Sequence, residues 1–385
     1  MSTPTHPLNI DAHFPGGNIV VESIDGDVVD LHQDLRDTTT DWFYWCFAVH
    51  GAAGRALTFR FTKSAALGVR GAAVSLDRGE TWAWLGAECV SGNSFTYRFA
   101  NVASEVRFSF GMPYQETRFR QFLARHAGNP RLRCETLCRT PRGRDVERLH
   151  LGCLDRDAQV RLLLTCRHHA CEMMADYSLE GLMDAALAGE DDAAWLAENV
   201  EIMVVPFVDK DGVEDGDQGK NRRPHDHNRD YAGESVYASV RALRETVPAW
   251  SRGRPLAAMD LHCPHIRGVH NEVVYLVGAE DAAIWREQCR FGDVLEAIVP
   301  PAGLPYAASD NLPFGQAWNT PSSYSAGMSC SEWARHLPGI RLATSIEIPY
   351  ANASGAEVNQ TTATAFGHRL AQAWARYLRD VSLTE

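Results

Sequence analysis

Basic residues are the minority charge in this 385-residue chain: 37 Lys and Arg stand against 49 Asp and Glu, a formal net charge of −12. A surface of that sign repels a polyanion, so nucleic acid is not an expected partner. Long apolar runs are missing too. Nothing approaches the roughly 20 consecutive apolar residues of a membrane-spanning helix. Met1 to Pro7 carries no basic region followed by an apolar core, so neither a membrane nor a secretory route is expected. The ten cysteines contain no C-x-x-C pair, and the closest two are Cys134 and Cys138, which argues against a zinc ribbon or a dithiol redox site. Others sit inside apolar runs, as Cys46, Cys166 and Cys289 do, the pattern of reduced, buried thiols in a cytoplasmic protein. There is no internal repeat or low-complexity tract, so a solenoid or a disordered protein is not expected.

What is present fits a large core: 45% of residues are hydrophobic and 22% charged, enough chain for two domains. Over residues 1–112, short alternating or aromatic runs are separated by turn residues: Asn18 to Val21, Trp42 to Val49, Ala56 to Phe61, Ser94 to Phe99 and Val106 to Phe110. That spacing predicts an antiparallel β-sandwich. Over residues 113–385, strand-like runs alternate with helical stretches at Met173 to Leu187, Glu234 to Thr246, Asp281 to Ala297 and a last one carrying Phe366, Leu370, Ala373, Trp374 and Tyr377 on one face. The alternation predicts an α/β/α layer structure around a mixed, mainly parallel sheet. Asp209 to Tyr231 reads as a long loop, and long ordered loops tend to carry function.

Four short motifs follow one another: His169-Ala170-Cys171-Glu172, Asn228-Arg229, Asp260-Leu261-His262 and Ile346-Glu347-Ile348. A catalytic zinc takes three protein ligands and leaves a fourth position for water. His169, Glu172 and His262 can supply them. The His-x-x-Glu pair falls where the apolar run Gln159 to Cys166 turns into a helix, and His262 ends the run that starts at Leu256, so both lie at strand ends, where open α/β sheets keep their sites. Asp260, two residues before His262, can accept the second ring proton of that histidine. His168 is a ligand only if the turn slips by one residue. Glu347 is a carboxylate inside an apolar strand, costly unless something uses it; it reads as the general base that takes a proton from zinc-activated water and returns it to the leaving amine.

The ordered set resembles the zinc metallocarboxypeptidases of the carboxypeptidase A type, and most of all their cytosolic carboxypeptidase-like branch. Val205 to Val213 resembles that family's strand and "NPDGV" turn, Asp226-His227-Asn228-Arg229 its "DLNR" element, and Asp260-Leu261-His262 its third-ligand element. The resemblance implies one Zn2+ per chain and a peptide or protein C-terminus as substrate, with the terminal carboxylate held by Asn228 and Arg229. A planar guanidinium suits that task. It also implies a second arginine that polarises the scissile carbonyl, but ungapped alignment puts Gly219 there. Lys220, Arg222 and Arg223 are the nearby cations, and Arg222 is the expected substitute because a guanidinium offers two directed donors. Tyr324, in the Ser/Gly-rich stretch Pro321 to Gly327, matches the family's mobile-loop tyrosine. Cys171 and Cys263 read as pocket lining that thiol reagents would reach, and His265 as a packing or surface residue. The cations and histidines from Lys220 to Arg229 could form an anion-binding wall suited to acidic C-terminal residues. Two other readings stay open: an N-acyl amino acid deacylase of the aspartoacylase-like kind, and a catalytically silent peptide-binding member.

Overall fold

The computed structural model describes residues 7–102, 105–189, 191–300 and 303–382; Met1 to His6, on which the expectation about a secretory route rests, lie outside them. Two five-stranded sheets come first. One is ordered Asn9–Asp11, Cys46–His50, Val106–Ser109, Ala73–Ser75, Ala83–Trp84, and the other Val20–Asp25, Val28–His32, Ala56–Phe61, Ser94–Arg98, Val90–Ser91. They face each other as a sandwich filled with rings. Phe47 of the first sheet lies 5.2 Å from Phe59 of the second, and Phe108 lies 5.3 Å from both Phe59 and Phe95. Such pairs add about 0.5–1.5 kcal/mol each beyond burial.

The sandwich departs from the expected antiparallel pattern at one place. Val28–His32 pairs parallel with Ala56–Phe61, because the chain leaves the first of these strands, crosses to the other sheet at Cys46–His50 and re-enters in the original direction. The crossover runs through Trp42 to Trp45, which the aromatic pattern assigns to a strand. These residues are buried or half-buried but unpaired, since a side chain serves their backbone: Tyr44 N donates to Gln218 Oε1 at 2.7 Å and Gln218 Nε2 donates to Tyr44 O at 2.9 Å.

A seven-stranded sheet follows, ordered Leu132–Arg139, Asp145–Gly152, Val200–Val205, Val160–Cys166, Leu256–His262, Ile340–Glu347, Tyr275–Val277. Its four central strands, from Val200–Val205 to Ile340–Glu347, are parallel and the outer pairings antiparallel. Val160–Cys166 and Leu256–His262 are buried at every position, which is why they read as unbroken apolar runs. Leu162 and Leu164 enter one core and Leu163 a separate one, so both faces are covered. On the first face, Met174–Ala188 packs against Gln360–Ser382 so closely that a Cβ on Gly367 would lie 1.9 Å from Ser178 O. On the second lies Ala238–Ser251. This helix starts four residues later than the apolar pattern suggests, because the Asp230 carboxylate accepts from Val236 N and Tyr237 N, both at 2.9 Å, and holds the approach in a turn.

The stretch from Asp209 to Tyr231 is more ordered than a loop. Asp209 caps the short helix Lys210–Asp215 through Gly212 N, and Asp226 caps the 3₁₀ turn His227–Arg229 through Asn228 N. Residues of the sandwich and of the first face of the seven-stranded sheet share one continuous apolar cluster.

Candidate metal centre and active site

The strand Val160–Cys166 ends at Arg167, which is held at φ +57°. Its fully buried guanidinium fastens the following turn: Nε donates to Ala170 O at 3.0 Å, Nη1 to Tyr114 O at 2.9 Å, and Nη1 also meets Asp176 at 2.5 Å. The turn brings His169 and Glu172 to one point, and the neighbouring parallel strand delivers His262 beside them. The Glu172 carboxylate lies between the two rings, 2.8 Å from His169 Nδ1 and 2.6 Å from His262 Nδ1. All three side chains are buried, with candidate donor atoms within 4.8 Å of one another.

The far side of each ring is also occupied. His169 Nε2 lies 3.1 Å from Asp226 Oδ1, and His262 Nε2 lies 2.6 Å from Asp260 Oδ2. Asp260 further accepts from Thr165 Oγ1 at 2.7 Å and faces His168 Nδ1 at 2.8 Å, while His168 Nε2 lies 2.7 Å from Tyr231 Oη. His168 therefore belongs to the support of Asp260. Carboxylates behind metal-binding histidines fix the ring and raise its basicity. Two imidazoles and a carboxylate of this kind suit a zinc ion, and the surplus of buried carboxylates is what a dication would neutralise.

Glu347 is paired with His262 across the strands and is buried, with Oε2 lacking any hydrogen-bond partner. Burial pushes its carboxyl up to about 7, the nearby His262 pulls it down and Glu172 pushes it up. A desolvated carboxylate with a free oxygen, facing a cavity, is placed to exchange protons.

The cavity has a volume of about 760 Å³ and opens over Glu172, Asp226 and Glu347. Lys220, Arg222, Arg223, His225 and Arg229 of the cationic stretch line it, and His227 does not. The members of that stretch differ in freedom. Arg222 meets Asp37 at 3.0 Å, Asp217 at 2.6 Å and Asp209 at 3.3 Å. Arg229 has Nε on Ser323 O at 3.1 Å and Nη1 on Asn228 O at 2.7 Å, with its plane 5.2 Å from the Tyr324 ring. Asn228 is buried behind His262, with Nδ2 3.2 Å from His262 Nε2 and Oδ1 accepting from Cys330 N. Tyr324 donates to Asn319 Oδ1 at 2.9 Å and lines an adjoining smaller cavity.

Several side chains gain a physical account. His227 stacks on Tyr237 with centroids 3.5 Å apart, and burial holds it neutral. His265 packs edge-on against Trp42 and Phe43 at the cavity wall. Cys171 lies inside the wall, accepting from Trp42 Nε1 at 3.2 Å, and burial pushes its thiol up to about 12; burial also pushes Cys263 far up. Burial thus disfavours the thiolate of both, although Cys263 lines the cavity. Asp226, Tyr231 and Arg167 are the site residues that the motif reading passed over. Only Asp226 left a signal, as the first residue of the Asp-His-Asn-Arg element.

Residues 120–250 match the profile of the zinc carboxypeptidase family. An uncharacterized protein of Zymomonas mobilis is 28% identical over 245 residues, 61% of this chain and 62% of its own length, so the chain spans less than two thirds of that relative. A crystal structure of a metallo-carboxypeptidase from Burkholderia cenocepacia shares the fold with a TM-score of 0.79 at 21% identity, covering 98% of this chain and 100% of that one. A metallo-carboxypeptidase from Pseudomonas aeruginosa, in complex with (2-guanidinoethylmercapto)succinic acid, gives 0.74 at 22% identity, covering 97% and 99%. The shared fold thus includes the N-terminal sheets, and residues 120–250 match the zinc carboxypeptidase family profile.

Proposed function

We propose that the chain is a zinc-dependent metallocarboxypeptidase that removes residues from the C-terminus of a peptide or protein, of the cytosolic carboxypeptidase-like branch. The observation that carries this reading is the convergence of His169, Glu172 and His262 below a cavity that also holds Glu347 and Arg229. Zinc held by those three residues would supply Lewis-acid polarisation and acidify water. Glu347, with its free Oε2, takes the proton of the attacking water and returns it to the leaving amine. Arg229, whose guanidinium has no carboxylate within 4.0 Å among the described residues, receives the substrate carboxylate, whereas Asn228, expected to share that task, is buried with its amide on His262 Nε2 and Cys330 N and would have to exchange these partners to reach it. The complex of the Pseudomonas neighbour with a succinic acid derivative fits a cationic pocket that takes carboxylates. Tyr324 would have to leave Asn319 to reach the substrate, a movement suited to its Ser/Gly-rich segment. Among the described residues no helix is long and apolar enough to cross a membrane. The cytoplasmic setting we propose suits ten cysteines that are all free.

The test is mass spectrometry of products after the zinc-loaded protein meets peptides with varied C-terminal residues and a set of N-acyl amino acids. Stepwise loss of C-terminal residues is expected. Glu347→Gln should keep about one zinc per chain while turnover falls by roughly 10²–10⁴-fold. Cleavage of acyl amino acids alone would make the chain a deacylase. Binding of peptides without cleavage would make it a silent member.

A further inference from the structure

The hydrolysis proposed above needs a cation at the carbonyl oxygen of the scissile bond, because charge develops there as water adds. The position at which the family pattern has an arginine cannot carry a side chain in this protein. Gly219 lies at φ +78°, and a Cβ on it would stand 2.1 Å from Ala170 N and 2.9 Å from His169 Cα, in the turn that bears the metal ligands. The close approach is held on both sides: Cys171 N donates to Gln218 O at 3.1 Å, and Gly219 N donates to Asp37 Oδ2 at 2.8 Å.

Arg222 is poorly free to act. Its guanidinium is the cation of an acidic cluster formed by Asp37, Asp209 and Asp217, and swinging it toward a substrate would leave buried carboxylates uncompensated. Arg223 is exposed at the rim. Arg229 is fixed on the side of the Ser/Gly-rich segment by Ser323 O and the Tyr324 ring. Lys220 is different. Its backbone carbonyl accepts from Thr38 Oγ1 at 2.8 Å, which anchors the residue next to the ligand turn, and its ammonium lies 6.0 Å from the centre of the Trp42 ring. Trp42 in turn bonds Cys171 of that turn. Among the described residues no carboxylate lies within 4.0 Å of Lys220, and the side chain lines the cavity with Glu172 and Glu347.

We propose that Lys220 is the catalytic cation that donates to the developing oxyanion, standing one residue beyond the position that Gly219 must leave bare. The step balances without a further reactant. Water oxygen bonds to the carbonyl carbon, its proton passes to Glu347, the carbon–nitrogen bond breaks, and the amine leaves with the proton from Glu347. Lys220 keeps its own protons and supplies a hydrogen bond and a charge.

The inference rests on the peptidase reading, and the experiment separates the two. The zinc-loaded wild type, Lys220→Gln and Lys220→Arg are compared on the best peptide substrate. The same proteins are titrated by calorimetry with a phosphonate analogue of that peptide, which places an anionic oxygen at the scissile carbonyl, and with the released C-terminal amino acid, which leaves that position empty. For Lys220→Gln the expected result is a kcat lower by roughly 10²–10³-fold with KM changed less than about threefold. Phosphonate affinity should fall by a comparable factor, product affinity should hold, and zinc content and melting temperature should match wild type. Lys220→Arg should recover part of the loss. A Lys220→Gln protein with kcat within threefold of wild type would overturn the assignment while leaving the peptidase reading intact, as would equal loss of phosphonate and product affinity. Lys220→Gln failing to hold zinc would mark the residue as structural and overturn it as well. A wild type that releases no C-terminal residue would overturn both.

Discussion

Two buried acidic clusters lie side by side in this molecule, and they solve the same electrostatic problem differently. Around Arg222, the carboxylates of Asp37, Asp209 and Asp217 converge on a cation that the chain provides. Around His169 and His262, the carboxylates of Glu172, Asp226 and Asp260 converge on rings that carry a positive charge only when protonated. The first cluster carries its own cations, since Arg36 also meets Asp217 at 2.8 Å, and can serve as structure. The second is balanced by a proton or by a metal ion, and that choice is what makes a binding site out of a core.

Chelation should break the comparison most visibly. Removing metal, or changing His262 to Ala, is expected to take turnover to background, and chelation should also lower the melting temperature, since a ligand that binds only the folded state stabilises it. Zinc content and differential scanning calorimetry read both, and the Arg222 cluster should keep its protection from hydrogen exchange. Unchanged turnover after complete chelation would remove the distinction. Arg222→Gln should do the reverse. With Arg222 gone, Arg36 still meets Asp217 but Asp37 and Asp209 keep uncompensated buried charge, and about 3–5 kcal/mol of stability should be lost, measured by urea unfolding, while the fraction still folded binds zinc as before. A variant as stable as wild type would mean that Arg222 is not the counter-ion described above.

Smaller effects sharpen the picture. Asp226→Asn leaves the ligands in place but weakens the partner of His169 Nε2, so zinc affinity should drop by about 10–100-fold in a competition titration with a chelating dye. No change would assign Asp226 to capping Asn228 N alone. Thr165→Val removes one donor to Asp260 and should cost about 0.5–1.5 kcal/mol, seen as a shift of a few degrees in the apo protein, with turnover nearly kept.

The sequence shows its strongest signals where one residue's chemistry is decided by near neighbours. Val160–Cys166 and Leu256–His262 are legible as strands because burial on both faces leaves an unbroken apolar run. The His-x-x-Glu pair is legible because a strand-to-helix turn is local. Arg222 was not legible in the same way. Two of its carboxylate partners lie near in sequence, but Asp37 comes from 185 residues away, and no spacing rule announces it. The same holds for Trp42 to Trp45, whose aromatic pattern suggests a strand while Gln218, from the other half of the chain, occupies the backbone groups a strand would pair. The parallel pairing of Val28–His32 with Ala56–Phe61 was hidden for a topological reason, since composition does not record a crossover. Asp226 stands in the sequence only as the first residue of the Asp-His-Asn-Arg element, and only the fold puts its Oδ1 against His169 and its Oδ2 against Asn221 N.

Asp37 sits in the sheet-rich half of the chain and touches the segment that shapes the cavity four times: its carboxylate accepts from Gln218 N, Gly219 N and Arg222, and its carbonyl from Arg223 N. The two halves are therefore not separable parts, one for chemistry and one for decoration. A fragment beginning at residue 113 would carry His169, Glu172, His262 and Glu347, the proposed zinc ligands and base, yet lack the mould in which Gly219 and Lys220 are cast. Transplanting the zinc-bearing half onto another N-terminal module would require that module to bring its own Asp37.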